Sequence, residues 1–161
     1  MKCKTIQKKC IKYTLSIAFL MILFIAFYVW IDQKQEEKSF ALEENVIAGT
    51  PQEVPEDLSY STLFVEEGYE IGICGTPSIE QEHLVCYLTN VTSNQIWIKA
   101  KIYDEQENLI GQTGMIKAGN YVEKIKLNSS LESQNIQIKI IAYEPETYQS
   151  RGNVSFKIAV H

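Results

Sequence analysis

The chain has 161 residues, 45% of them hydrophobic and 22% charged, with a formal net charge of -5: enough for one domain plus accessory segments. Two histidines, four cysteines without a Cys-x-x-Cys pair and an acidic balance argue against histidine-based catalysis, a metal or other cofactor, and nucleic-acid binding.

The charge is unevenly spread. Residues 1–12 carry five lysines and no acid, whereas the chain from Asp32 onward holds all 20 acids against 10 basic residues, a balance of -10. Between them runs "YTLSIAFLMILFIAFYVWI", Tyr13 to Ile31, without a charge. At about 1.5 Å per residue a helix over this run spans roughly 28 Å, close to the hydrocarbon thickness of a bilayer. Tyr13 at one end and Tyr28 and Trp30 at the other suit the headgroup level. The run predicts one N-terminal transmembrane helix over 13–31. Bulky residues after it offer no small-x-small cleavage site, so an uncleaved anchor is expected. Flanking lysines place the basic tail 1–12 in the cytoplasm and the rest outside.

Residues 32–67 are rich in Glu and Gln and contain Pro51 and Pro55. Few apolar side chains offset the ordering entropy there, so an acidic stalk is expected, helical toward Glu44, with "YSTLFV" (Tyr60 to Val65) docking as an edge strand.

From residue 68 to 161 the pattern is of short strands and turns: "YEIGIC", "LVCYLTN", "QIWIKAKIY", "NLIGQTGMI", "YVEKIKLN", "IQIKIIAY" and "NVSFKIAV". Ile96, Ile98, Ala100 and Ile102 alternate onto one face, as do Ile136, Ile138, Ile140 and Ala142, and Val154, Phe156, Ile158 and Val160. Period-two alternation with a polar second face means antiparallel sheets covered on one side. About seven strands without a helical stretch predict an all-β ectodomain, an immunoglobulin-like antiparallel β-sandwich in which the third, sixth and seventh strands adjoin.

The stretch "LTNVTSN", the strand closing on "YDEQENLIG" and the turn "IKAGNYVEKIKL" together resemble the extracytoplasmic FxLYD-type sandwiches of Gram-positive bacteria. Those modules carry an "N-x-(S/T)" strand end, a "fyDa.G.lig" turn and a "pGe" turn. With its anchor and its "CGTP", the whole chain is similar to small single-pass surface proteins of that group. Ala118 stands in place of the turn proline and Asn108 in place of the turn glycine. The resemblance implies a fold and a location outside the cell, and it supplies no catalytic residues.

No serine stands in a nucleophile-elbow context, and His83 beside Glu82 reads as a solvated turn residue. "DEQEN" lacks the glycine and the distal glutamate of an EF-hand and reads as a charged hairpin turn. Cys74 and Cys86 would face each other in a hairpin centred near Glu80, where an oxidising exterior permits a disulfide. Strand alternation instead makes them two buried thiols, and both readings stand at this level.

The outward face is the most informative feature. With Ile98 and Ile138 inward, Trp97, Lys99, Lys101, Tyr103, Lys139, Tyr143 and Lys157 gather on one sheet surface. Exposed aromatics among lysines suit an anionic cell-wall polymer or an acidic envelope protein. The chain is therefore expected to be a membrane-anchored, non-catalytic binding or structural component of the cell envelope; the alternative is a subunit of an envelope enzyme or transport assembly.

Overall fold

The computed structural model describes residues 21–27, 40–129, 131 and 134–161. The chain divides into two units, Met1–Ser39 and Phe40–His161. In the first, residues 21–27 are helical with their large apolar side chains exposed. No helix among the described residues is long and apolar enough to cross a membrane. The basic tail, the remainder of the expected span 13–31 and residues 32–39 lie outside the described residues.

The second unit is built of β1 (Ile47–Ala48), β2 (Tyr60–Val65), β3 (Tyr69–Cys74), β4 (Ser78–Glu80), β5 (His83–Asn90), β6 (Trp97–Tyr103), β7 (Leu109–Gln112), β8 (Asn120–Lys126), β9 (Asn135–Tyr143) and β10 (Ser150–Ala159). All pairings between these strands are antiparallel. One sheet runs β1-β8-β5-β3-β2, with β4 also on β5; the other runs β10-β9-β6-β7. The adjacency expected of the third, sixth and seventh predicted strands is that of β6, β9 and β10.

Alternation fixes which side is dry. Ile98, Ala100 and Ile102 of β6 and Ile136, Ile138, Ile140 and Ala142 of β9 meet Ile71, Ile73, Leu84, Cys86, Leu88 and Val122 of the first sheet in one core. At the corner between β5 and β6, Asn90 is fully buried. Its amide donates to the carbonyls of Ile96 and Ile116, both at 2.9 Å, and its Oδ1 accepts from Asn94 at 2.7 Å. Every polar atom of that side chain is paired, which is what permits its burial.

The second unit takes in residues 40–67, which the composition assigned to a stalk. Residues 40–44 are not helical: Met115 N–H donates to the Ala41 carbonyl at 2.8 Å and Glu43 N–H to the Met115 carbonyl at 3.0 Å, tying a strap to the second sheet. Gly114 makes room for it, since a Cβ there would lie 2.6 Å from Glu43 N. Farther on, β1 pairs with β8, Leu58 buries against Cys74 and Val85, and β2 forms a hairpin with β3 at the sheet edge. The acidic composition misleads because backbone pairing and two buried side chains, Leu58 and Val65, tie the stretch down, while Leu42, Val46, Ile47 and Phe64 remain exposed.

Candidate functional site

Register sets the order of side chains across the outer face of β10-β9-β6-β7. Trp97 lies opposite Tyr143, Lys99 opposite Ile141, Lys101 opposite Lys139, and Tyr103 opposite Gln137. On the far side of β9, Ser155 adjoins Lys139 and Lys157 adjoins Gln137. The sheet thus brings all seven candidate residues onto one surface, in two parts with different roles.

The aromatic part is occupied by the protein itself. Phe40, at the head of the strap, packs edge-on to Tyr143 at 5.6 Å and stacks on Tyr148 at 4.9 Å. Tyr148 lies 6.1 Å from Trp97, and the Lys117 ammonium sits 5.2 Å from the Trp97 ring centroid. Burial pushes the Tyr143 hydroxyl pKa up. Trp97 and Tyr143 are therefore half-buried, contrary to their expected role as exposed stacking residues. The missing participants were Phe40 and Tyr148: the first sits in the acidic stretch, the second in the loop between β9 and β10, and neither lies in an alternating strand.

Lys99 also departs from expectation. It is 3% exposed, and burial followed by the nearby Lys101 charge lowers its pKa. Lys101, Lys139 and Tyr103 are half-exposed and Lys157 is exposed. The charged residues of these four strands are Lys99, Lys101, Lys139, Arg151 and Lys157, with no acid among them. By contrast the first sheet carries Glu70, Glu80 and Glu123 beside Lys124 and Lys126, and Lys124 pairs with Glu80 at 2.6 Å.

Acids return at the β6–β7 turn, the lower border of the face. Asp104 accepts from the backbone N–H groups of Gln106 and Asn108 and from the Asn108 amide, which together hold its carboxyl pKa down. The left-handed residue of this turn is Glu107, with φ 64°, rather than Asn108. A cavity of about 300 Å³ lies between this turn, Asn135, Gln137 and Lys157.

Cys74 and Cys86 are free thiols. Continuing the β3–β5 register from Gly72 opposite Thr89 sets Cys74 against Tyr87, one residue from Cys86. A one-residue offset puts the two on opposite faces. Cys86 points into the main core and Cys74 into the outer cluster with Leu58 and Val85. Burial pushes the Cys74 thiol up to about 11 and the Cys86 thiol up to about 12. His83 opens β5 opposite Glu80 and Lys126. Among the described residues no group of three or more His, Cys, Asp or Glu is placed to hold a metal ion. No protein family, curated protein or solved structure matches the chain.

Proposed function

We propose that this chain is a single-pass membrane-anchored protein that displays an immunoglobulin-like domain of the FxLYD kind outside the cytoplasm. The lower half of its second sheet docks, without catalysis, on an anionic polymer of the cell envelope. The observation that carries this reading is the pairing of Lys101 directly against Lys139 on a sheet whose strands hold no acid. Like charges directly opposite on a sheet destabilise it, and neutral or acidic residues would relieve the repulsion. The unit from Phe40 onward has eight basic residues against 17 acids, a balance of -9, so a clear basic field on one sheet is not a by-product of composition. An anionic polymer supplies the missing counter-charges in a row.

Lys101, Lys139 and Lys157 carry the charge, with Tyr103 at the border. Tyr143 and Tyr148 hold Phe40 of the strap instead, and Trp97 packs beside Tyr148. Binding of polyglycerol phosphate to the full chain in micelles is expected to weaken steadily with salt, because exposed charges act through a screened field. Lys101→Ala, Lys139→Ala and Lys157→Ala should each weaken it, and the triple change should flatten its salt dependence. Affinity that ignores all three lysines rejects the assignment.

A further inference from the structure

Part of the outer face of the second sheet is covered by the strap. Ile98 and Ile116 exchange backbone bonds at 3.0 and 2.8 Å, so Met115 flanks Lys99 on the side of β6 away from β9. Ile116 packs in the core, and alternation therefore turns Met115 outward beside Lys99. Both face away from the core, yet Met115 is 1% exposed and Lys99 3% exposed. Leu42 of the strap is the parallel partner of Met115, one strand farther out. From Leu42 to Tyr143 on β9 is three strand spacings, about 14 Å. Phe40 packs 5.6 Å from Tyr143, so the start of the strap turns over the outer side of β6, where Trp97 and Lys99 lie.

A lysine suits a permanently covered position poorly. Its ammonium costs free energy to withdraw from water even when bonded, and an apolar side chain there would hold the strap more firmly. The strap itself is lightly attached. Two backbone bonds to Met115 and the Glu43 carboxylate on Gly114 N–H hold it, while Leu42 stays 47% exposed and the Phe40 ring stacks on Tyr148, itself 40% exposed. Segments with few buried contacts open at the low end of a domain's stability range.

We propose that the strap is a lid over the upper half of the lysine face, and that an anionic polymer displaces it to reach Lys99. The proposal rests on the polymer reading of that face and adds its regulation. Lys99 stands next to Lys101 on the outward side of β6, so a chain of phosphates laid over Lys101 and Lys139 meets the lid at its next step. Glu43 and Glu44 travel with the strap, and their negative charge opposes the same chain while the lid is closed. A ligand shifts such an equilibrium only by binding the open form better, and the uncovered ammonium supplies that difference.

The test measures affinity of the full chain in micelles for polyglycerol phosphate, and hydrogen exchange at Met115 with and without the polymer. Phe40→Ala removes the ring contacts and Gly114→Ala drives a Cβ into the Glu43 backbone, so the two loosen the strap by different routes. Each should bind about fivefold tighter than wild type, the lower end of the usual coupling between sites. Adding Lys99→Gln to Phe40→Ala should abolish that gain. In the wild-type chain the polymer should speed exchange at Met115. Equal affinity in wild type and both loosened variants, a gain that survives Lys99→Gln, or exchange at Met115 that the polymer leaves unchanged or slows would each overturn the lid. In those cases the lysine face still stands if Lys101→Ala, Lys139→Ala and Lys157→Ala weaken binding. No polymer binding by any variant would instead reject the lysine face, and the lid with it.

Discussion

Ile98 and Lys99 are consecutive, and both are buried, a departure from simple alternation. Ile98 packs inward between the sheets; Lys99 belongs to the outer face. Truncating the inward residue, Ile98→Ala or Ile138→Ala, should cost roughly 2–5 kcal/mol through the cavity left behind, whereas Lys139→Ala should stay within about half a kcal/mol. Chemical denaturation of the variants measures both. These inward positions were legible because isoleucine at every second place leaves no other face to bury. Lys99 was not, because its burial depends on residues distant in sequence. The cysteines give a pH signature. Their folded pKa values, about 11 and about 12, lie above the ordinary 9, so the neutral thiols favour the fold below pH 9. That contribution is lost as pH rises from 9 through the folded values. Cys74→Ala and Cys86→Ala should blunt this alkaline loss in a pH series of melting curves; equal loss in wild type and both variants contradicts the burial.

At the scale of elements, the strap decides how much of the outer face is free. It rests on two backbone bonds to Met115, on Gly114 N–H donating to Glu43 Oε2 at 2.6 Å, and on the Phe40 ring. Phe40→Ala removes the ring contacts, and Gly114→Ala drives a Cβ into the Glu43 backbone. Either change should release residues 40–43, seen as faster hydrogen exchange at Glu43 and Met115 and a red shift in Trp97 emission, while β9 and β10 keep their protection. Unchanged exchange at Met115 would show that the strap does not depend on these contacts. Sequence reasoning found β2 as an edge strand and the "KAGN" turn, where Gly119 takes φ +75°. It missed the strap because pairing with a distant bridge at Met115 leaves no periodic trace. Of the two arrangements left open for Cys74 and Cys86, the facing hairpin pair does not form, because β4 and the left-handed Gln81 take up the hairpin instead of β3.

For the whole molecule, the separation of charge is the organising feature: a basic N-terminal tail, an uncharged run, and an acidic unit with its basic residues concentrated on one sheet. Fold class was legible from strand periodicity, and the position of the lysine face followed from it. How much of that face the chain itself covers was not, since Phe40 and Tyr148 come from outside the strands. The proposed role at the envelope requires the acidic unit to lie outside the cytoplasm, and thiol labelling of intact cells reads that directly. Ser61 is exposed on β2, whereas Cys74 and Cys86 are buried and should stay silent. With an impermeant maleimide, the Ser61→Cys variant should label before lysis, and Cys3 and Cys10 should label after permeabilisation alone. Labelling of Cys3 and Cys10 in intact cells, with Ser61→Cys protected, would invert the orientation and contradict the account.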